Sequence, residues 1–449
     1  MTALIDAAKA LAPYTVKIRR QLHEHPELTS REFNTVKLIR AELEAAGIAY
    51  HNIPDGGVLG WLDGAKDGTV AVVPGNHPVA PQARGQAVLL RADCDALPIQ
   101  ESEYNAKQKK LCVSQVPGVA HACGHDSHVA MLLTAAKLLK AREKDFSGRV
   151  YFLFERGEEG GNCIYYVMRY LQMEHVCVDA AYALHSDVHY PAGFLAGQKG
   201  PANSGNINFE IRLHGKDGHG SRPDLANNPI DCFLAIATAL KDIRMRHIDP
   251  SKPIILNIGA VHAGTKRNII AEELTVLGTS RFHHRESGRV MKAEMRKIID
   301  NIAAAYDCAP EYVEFTGPSF PLYNEPETTE LGMEALRALV GKERFIENRE
   351  VGMGSESFAT VAAYIPSSFF RVGMRNEEMG ITVGGHQAKH DLDEAGFPYG
   401  AAAYAALALN YLAQPRAYPA GFTPFEGTAD DFLKETGRPV PKRYDAPEA

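Results

Sequence analysis

Residues 121–128, with the sequence HACGHDSH, place three histidines, a cysteine and an aspartate within eight positions. Thiol and imidazole groups that lie this close together are typical ligands of zinc and of chemically similar metal ions. A polar loop with a few solvated histidines could have the same composition. The segment is therefore a candidate metal site whose other ligands must come from elsewhere in the chain.

Acidic residues and histidines also occur where three predicted strands end, and in one segment late in the chain. They are Asp93 and Asp95 in LLRADCDALPI, Glu158 and Glu159 in FLFERGEEGG, His185 in AAYALHSD, and His386 or His390 in VGGHQAKHDLDE. In open α/β sheets, ligands bind in the crevice beyond the carboxyl ends of the strands. We therefore expect these side chains to converge on the cysteine and histidines of HACGHDSH.

Each of these segments also has an ordinary structural interpretation. Adjacent glutamates commonly lie in a solvated loop, and an Asp-x-Asp sequence after a strand can form a turn or cap a helix. A single histidine at a strand end is more often part of the rim or the core than a metal ligand. All of these interpretations would have to hold together to exclude a shared site, so the combination favours a metal centre.

The composition is that of an ordinary globular protein. Apolar residues make up 45% and charged residues 23% of the 449 residues, and 48 Lys and Arg stand against 55 Asp and Glu, for a net charge of −7. A chain of this length exceeds what one core usually supports, which predicts two domains. The acidic balance, and the lack of a basic run interleaved with aromatic residues, argue against a nucleic-acid partner.

Cysteine content and hydropathy predict a cytoplasmic protein without a membrane partner. The seven cysteines are few and odd in number, so they do not suggest a disulfide framework, and a reducing compartment is expected. Lys9 and Pro13 interrupt any secretory signal pattern at the amino terminus. The most apolar long segment, YGAAAYAALALNYLA, is too short to span a bilayer.

The pattern of apolar residues predicts an α/β fold around a largely parallel sheet. One helix is expected over residues 3–25, and a second begins with Ser30 as its N-cap and ends at Gly47. Short apolar runs at AVLLRA, RVYFLFE and AAYALH are typical of buried strands, and the helical pattern SHVAMLLTAAKLLKAREK lies between the first two. Strands that alternate with helices predict an open sheet with both faces covered.

The pattern changes near Gln198 and changes back near Pro318. Between these positions the strand and helix patterns follow the order β-α-β-β-α-β, which is that of a ferredoxin-like unit. The expected organisation is a catalytic α/β domain of residues 1–198 and 318–449, with a smaller α+β domain of residues 199–317 inserted into it. The Pro-rich residues after Gln414 are expected to be irregular.

The chain resembles the dinuclear metallo-amidohydrolases that include aminoacylases, hippurate hydrolases, indole-acetyl-amino-acid hydrolases and aminobenzoyl-glutamate hydrolases. The matching segments occur in the family's order, from about residue 18 to about residue 410: RQLHEHPEL, RADCDALPI, HACGHDSH, GEEGG, LH at 184–185, GKDGHGSRP, NII at 268–270, GSESF and GGHQAKHDLDE. The last segment is most similar to the aminobenzoyl-glutamate branch. The resemblance implies a hydrolase of N-acyl or N-aroyl amino acids, including aminobenzoyl-glutamate-like conjugates.

The resemblance also implies a centre of about two divalent metal ions per chain, of the kind that activates water and polarises a carbonyl group. Zinc or manganese is expected, and cobalt or nickel would suit the same ligands. The implied ligands are Cys123, which would bridge the ions, and His125, Glu159, His185 and His386. Glu158 would act as general base and acid, and Asp95 would orient a metal-bound side chain.

The inserted domain is implied to be a lid that also carries a homodimer contact. His219 matches a lid histidine that helps to stabilise the oxyanion, often across the dimer interface. Asn268 and Arg281 match lid positions that hold the carboxylate of the substrate. The expected partners are therefore a small N-acyl amino acid and a second copy of the chain.

Some segments differ from the family pattern without removing a ligand or the proton-transferring glutamate. GSESF has Ser357 where the family usually has aspartate, and ERGEEG lacks a usual proline and adds Arg156. A dipeptidase or carboxypeptidase with the same residues is the alternative activity, and a non-catalytic relative is the alternative class. The non-catalytic alternative is disfavoured because the chain retains Cys123, His125, Glu158, Glu159, His185 and His386.

Overall fold

The computed structural model describes residues 2–66, 86–347, 351–413 and 417–443. The helices in these ranges are α1 (Thr2–Ala10), α2 (Ala12–Glu24), α3 (Phe33–Ala45), α4 (His125–Lys140), α5 (Ile164–Met173), α6 (Pro229–His247), α7 (Arg285–Ala305), α8 (Pro326–Val340), α9 (Phe358–Tyr364), α10 (Phe397–Leu412) and α11 (Ala429–Thr436). None of these helices is both long enough and apolar enough to cross a membrane.

The strands in the same ranges form one large sheet and three smaller ones. They are β1 (Ala49–Ile53), β2 (Gly57–Asp63), β3 (Ala87–Asp93), β4 (Arg149–Glu155), β5 (Ala180–Pro191), β6 (Leu195–Gly197), β7 (Gly200–Asn203), β8 (Gly205–His214), β9 (Gly218–His219), β10 (Ile254–Ala263), β11 (Ile269–Ile270), β12 (Glu273–Phe282), β13 (Ala309–Thr316), β14 (Leu322–Asn324), β15 (Phe345–Glu347) and β16 (Ser367–Arg375).

The large sheet has eight strands in the order β1-β2-β4-β3-β5-β16-β6-β15. Strands β4, β3, β5 and β16 run parallel in its middle, whereas the β1–β2, β2–β4 and β16–β6 pairs are antiparallel. Strand β3 is buried along its whole length, and its neighbouring residues Leu89 and Leu90 belong to cores on opposite faces. The predicted α/β fold with a mostly parallel central sheet is confirmed.

Helices cover both faces of this sheet and keep its apolar strands away from water. Helices α1, α2, α4, α8 and α10 contribute to the core on one face, and α5, α9 and α11 contribute to the core on the other. Because neighbouring parallel strands point the same way, the carboxyl ends of β3, β4, β5 and β16 meet at one edge of the sheet. Residues that follow these strands are thereby placed close together.

A four-stranded sheet lies within the segment that was predicted to be inserted. Its strand order is β10-β12-β8-β13, with antiparallel pairing throughout. Its main elements follow the predicted order β-α-β-β-α-β, as β8, α6, β10, β12, α7 and β13. Helices α6 and α7 bury apolar residues against this sheet in a separate core. The domain boundaries at residues 199 and 317 stay a prediction.

Two helices replace the single helix that was predicted over residues 3–25. Helix α1 ends at Ala10 and helix α2 begins at Ala12, with Pro13 in the first turn of α2. Proline has no backbone N–H with which to continue the hydrogen bonds of α1, whereas the first turn of a new helix does not need that N–H. The prediction of one continuous helix was wrong at this point.

Ser30 does not cap the next helix, contrary to the prediction. Helix α3 begins at Phe33, directly after Glu32. Ser30 has a positive φ of 63°, and its N–H donates to the Glu32 carboxylate at 2.8 Å. The same carboxylate pairs with the guanidinium of Arg156 at 2.9 Å. This turn is therefore organised by a buried ion pair to the segment that leads into Glu158.

The residues after 416 are less irregular than predicted, because they include α11. Thr428 and Asp431 form a reciprocal capping box at the start of this helix, and Phe432 and Leu433 are buried against the large sheet. The sequence did contain the signal, since a T-x-x-D pattern before an apolar pair is typical of a helix start. The high proline content around it led to the wrong interpretation.

Candidate metal centre

Three of the predicted ligands are positioned by regular structure. His185 lies within β5, His125 is the first residue of α4, and Cys123 lies just before it. Gly124 between them has a positive φ of 87°, and a Cβ at this position would lie 2.4 Å from Ser186 Oγ. The turn that carries the thiol and the imidazole therefore requires a glycine.

The other two predicted ligands come from loops. Glu159 lies in the turn after β4, and His386 lies in the loop after β16. His386 has a positive φ of 60°, and its N–H donates to the carbonyl of Ala122 at 2.8 Å, which holds this late histidine beside Cys123. His390, the alternative to His386, is instead buried and hydrogen-bonds a backbone carbonyl.

Cys123 belongs to two groups of possible ligand atoms. One group also contains His125 and His185, and the other also contains Glu159 and His386. In each group, one atom per residue lies within 4.8 Å of the others. Cys123 Sγ lies 3.5 Å from His185 Nε2, and Glu159 Oε1 lies 3.1 Å from His386 Nε2. Cys123 is therefore the residue that the two groups share, as the predicted bridging role requires.

Two buried atoms of the predicted ligands, His125 Nε2 and Glu159 Oε1, form no hydrogen bond of good geometry among the described residues. The 3.1 Å contact with His386 Nε2 is an ion-pair contact of Glu159 Oε1. Buried polar atoms in proteins are nearly always satisfied, so each such atom requires an explanation. A metal ion bound by these atoms would supply one. Because thiolate, imidazole and carboxylate groups suit zinc, manganese, cobalt and nickel, the residues fit the divalent ions that were predicted.

Asp95 holds the ring of His125 in place. Its Oδ1 lies 3.1 Å from His125 Nδ1, and its Oδ2 accepts hydrogen bonds from the Thr29 hydroxyl at 2.7 Å and from the Glu159 N–H at 2.9 Å. A carboxylate that accepts the Nδ1 proton leaves Nε2 free to bind a metal ion. Asp95 therefore has the contacts expected of a residue that orients a ligand.

The local environment shifts the pKa values of several of these groups. Desolvation, together with the charge of Glu356, raises the pKa of Glu158 well above its ordinary value. Burial raises the pKa of the Cys123 thiol to about 12, so a thiolate at neutral pH needs a bound cation. Burial also lowers the pKa of His185, which favours the neutral imidazole that can bind a metal ion.

A buried network behind the ligands was not predicted from the sequence. Arg91 on β3 pairs with Asp93 and Glu155 at 2.7 Å each. The other oxygen of Asp93 lies 2.5 Å from His128 Nδ1. Both oxygens of Asp93 are therefore engaged by protein groups, which makes this residue a support for the site. The predicted helix began at Ser127 and did not include His125, whereas α4 begins at His125 and makes His125 and His128 neighbours on one face.

Ser357 contacts three glutamates, of which Glu356 is the most distant at 3.5 Å. Its N–H donates to Glu158 Oε1 at 3.0 Å, and its hydroxyl donates to Glu155 Oε1 at 2.5 Å. Arg91 donates to the same hydroxyl at 2.8 Å. Ser357 therefore connects Glu158 to the buried network and restrains its carboxylate.

The candidate centre opens into a cleft of about 1080 Å³, which is lined by residues of the large sheet and of the four-stranded sheet. Of the predicted substrate-binding and oxyanion-stabilising residues, Arg281 lines this cleft, and His219 and Asn268 do not. Those two residues are exposed on the short paired strands β9 and β11 and the turn beside them. Within the described residues of one chain, they are therefore not brought to the metal centre.

Comparisons with known proteins agree on one family. Residues 89–410 match the peptidase family M20/M25/M40. Thermostable carboxypeptidase 2 of Saccharolobus solfataricus is 35% identical over 91% of this chain and 98% of its own length. IAA-amino acid hydrolase ILR1-like 4 of Arabidopsis thaliana is 32% identical over 90% of this chain and 87% of its own length. The crystal structure of a dinuclear metal-binding peptidase of the M20 family from Bacillus subtilis is 27% identical, with a TM-score of 0.72 over 90% of this chain and 99% of that one.

Proposed function

Because the chain belongs to the peptidase family M20/M25/M40, and is therefore a metal-dependent hydrolase of amide or peptide bonds, we propose that it cleaves N-acyl or N-aroyl amino acids. The products are a carboxylic acid and a free amino acid. The observation that carries the proposal is Cys123, which is shared by two ligand groups in a cleft that also contains Glu158. The similarity to an IAA-amino acid hydrolase supports an N-acyl amino acid as the substrate.

Different residues of the chain would bind the metal ions and transfer the proton in this reaction. Cys123, His125, Glu159, His185 and His386 would hold about two divalent ions, which when bound polarise a carbonyl group and acidify water. Glu158 would accept a proton from the attacking water and deliver it to the nitrogen of the leaving amine. Its position supports this role, because it lines the cleft and its Oε1 is held by the Ser357 N–H at 3.0 Å.

Arg281 would bind the α-carboxylate of the substrate. It lines the same cleft, and Nη1 donates to the Ser355 hydroxyl at 2.5 Å. Among the described residues, it forms no ion pair with a carboxylate, so its charge is available to a ligand. A guanidinium recognises a carboxylate through parallel hydrogen bonds, and this contact would fix the amide bond relative to Glu158.

The reaction can be tested by loading the protein with zinc or manganese and measuring kcat/KM for N-acetyl amino acids, N-benzoyl amino acids and dipeptides. We expect the N-acyl and N-aroyl substrates to be preferred, and removal of metal with a chelator to abolish turnover. Faster release of C-terminal residues from peptides would support a carboxypeptidase instead. That second candidate is favoured by the 35% identity to a thermostable carboxypeptidase.

We also propose that the protein is a homodimer through residues 199–317. Strand β10 forms one edge of the four-stranded sheet and exposes Ile255 and Val261, which is typical of an edge that pairs with a second chain. His219 and Asn268 are exposed and do not line their own chain's cleft. In a dimer of this kind they would complete the cleft of the partner.

Replacing Val261 by glutamate should convert the dimer into a monomer. A charge on an edge strand opposes pairing with a second strand, and Val261 is 43% exposed in the single chain, so the fold itself should tolerate the change. Turnover should fall by about 10²–10³-fold, the loss expected for one missing oxyanion donor. Sedimentation velocity and kcat, measured on the same samples, would check both results.

The matched control is Val313→Glu on β13, the opposite edge of the same sheet. Val313 is 47% exposed, so the two substitutions place the same charge at similarly exposed positions on opposite edges, and the control should remain dimeric. A wild-type protein that is monomeric at micromolar concentration and fully active would show that dimerisation does not complete the site.

We propose a cytoplasmic location. No disulfide bond joins the seven cysteines among the described residues, which are Cys94, Cys112, Cys123, Cys163, Cys177, Cys232 and Cys308. Cysteines outside disulfide bonds are typical of reducing compartments, which supports this proposal.

A further inference from the structure

Three arginines in the cleft face neutral groups rather than carboxylates. Arg281, Arg371 and Arg438 all line the cleft. Arg281 donates to a serine hydroxyl at 2.5 Å, and Arg371 and Arg438 donate to asparagine oxygens at 3.3 Å and 2.9 Å. Among the described residues, the one ion pair formed by the three is a 3.9 Å contact between Arg371 and Asp187. The cleft also contains the carboxylates of Glu158, Glu159, Glu314 and Glu356, but none of them forms an ion pair with these arginines among the described residues. The half-buried guanidinium groups are therefore suited to an anionic ligand.

Arg438 reaches the cleft from the C-terminal segment. The family match ends at residue 410, so this arginine lies outside it. Helix α11 buries Phe432 and Leu433 against the large sheet, and the Gly317 N–H, beside the four-stranded sheet, donates to the carbonyl of Thr436 at 2.7 Å. The segment that carries Arg438 is thus attached to both parts of the chain that line the cleft.

Asn206 places Arg438 beside Arg281. Asn206 on β8 and Arg281 on β12 are directly paired across the two strands, so their side chains leave the same face of the sheet with Cβ atoms about 4.5–5.5 Å apart. Arg438 Nη2 donates to Asn206 Oδ1 at 2.9 Å, and its Nη1 donates to Asn162 Oδ1 at 3.4 Å. The guanidinium groups of Arg281 and Arg438 therefore lie at the same end of the cleft.

The charge of Arg438 is not neutralised within the described residues. Burial lowers the pKa of its guanidinium, and the charge of Glu314 opposes this shift from beyond ion-pair distance. An arginine stays protonated at neutral pH even when its pKa is lowered. A half-buried, charged and hydrogen-bonded guanidinium at a cleft wall is a preorganised site for a carboxylate.

We propose that Arg438 is a specificity-determining residue that binds a second carboxylate of the substrate, beside the α-carboxylate bound by Arg281. This inference rests on the proposed hydrolysis of N-acyl amino acids. Because the two guanidinium groups lie at one end of the cleft, the second carboxylate belongs to the side chain of the amino acid that is released. The preferred substrates are then N-acyl derivatives of glutamate or aspartate.

The test compares N-acetyl-L-glutamate with N-acetyl-L-glutamine, which have the same shape and differ in side-chain charge. The wild-type enzyme should have the higher kcat/KM for the glutamate derivative. Arg438→Gln should lower that value by about 10- to 100-fold, the effect of one lost charge-assisted hydrogen bond, and leave the glutamine derivative nearly unchanged. Arg438→Lys keeps the charge without the planar fork and should give an intermediate loss.

A second variant distinguishes carboxylate binding by Arg438 from the attachment of the C-terminal segment that carries it. Arg289 is outside the cleft and pairs with Glu435 of α11 at 2.6 Å, so Arg289→Gln loosens the segment while keeping Arg438. It should not change the preference between the two substrates. Arg438 does not bind the second carboxylate if Arg289→Gln changes the preference as much as Arg438→Gln does. The same conclusion follows if Arg438→Gln lowers kcat/KM equally for both substrates.

Binding of the products keeps this test independent of turnover. Calorimetry on the metal-loaded enzyme should show tighter binding of L-glutamate than of L-glutamine, and Arg438→Gln should remove the difference. Equal binding in the wild type would overturn the role of Arg438 even if N-acyl amino acids are hydrolysed. If no N-acyl amino acid is hydrolysed, the proposed function fails, and the product affinities still decide whether Arg438 recognises the side-chain carboxylate.

Discussion

Replacement of Cys123 by alanine should lower bound metal from about two ions per chain and abolish turnover. The reason is that Cys123 is the member shared by both ligand groups, with His125 and His185 on one side and Glu159 and His386 on the other. Loss of an ordinary ligand affects one ion, whereas loss of the shared thiolate affects both. Metal content by elemental analysis and kcat on an N-acyl amino acid would be measured on the same preparation.

A matched control shows whether the effect belongs to the site or to the loss of any buried thiol. Cys232 is fully buried in the core of the four-stranded sheet and lies outside the cleft, so Cys232→Ala should keep its metal and its turnover. Full metal content in Cys123→Ala would contradict the role of this residue as a ligand and leave it as a structural thiol.

The alternation of strands and helices was predictable because the middle of the large sheet is parallel and covered on both faces. Such strands are largely apolar, and β3 and β4 therefore appeared as short apolar runs, although β3 also contains Arg91. The break at Leu11 was missed because apolar spacing continues through Pro13. Helix α11 was missed because the prolines around it outweighed its capping signal, and burial of its short apolar face against the large sheet is what stabilises it.

The candidate ligands could be selected from the sequence because cysteine, histidine and paired acidic residues are rare in such close sequence groups, and their role as ligands stays a prediction. The buried residues that position these side chains could not be predicted, since their role depends on contacts between distant segments. Arg91 appears in the sequence as a charged residue inside an apolar strand, and it is stable there because Asp93 and Glu155 neutralise it. Arg438 gave no signal at all, because it reaches the cleft through the packing of α11.

Glu158 and Glu159 were expected at the extended end of a strand, where adjacent side chains point in opposite directions. They lie instead in the turn that follows β4. Their contacts nevertheless differ, since Glu158 accepts from the Ser357 N–H at 3.0 Å, whereas Glu159 lies 3.1 Å from His386. Both glutamates also belong to a ligand group with His125, so geometry alone permits either to bind an ion.

Glu158→Gln should therefore keep its metal and lose its turnover. Glutamine preserves the shape of the side chain and its contact with Ser357, but it cannot accept and return a proton. General acid–base groups contribute about 10²–10⁴-fold, and one that serves as both base and acid should lie at or above the top of that range. The fall should be in kcat, with KM changed little, because the contacts to the substrate remain.

Glu159→Gln should show the opposite pattern, since an amide is a poor replacement for a carboxylate ligand. Metal content should fall, and an excess of the metal should restore part of the activity, whereas no excess should rescue Glu158→Gln. Metal content, KM and kcat of the two variants would be measured side by side. Loss of metal from Glu158→Gln with retention in Glu159→Gln would exchange the two roles, making Glu158 the ligand and Glu159 the group that transfers the proton.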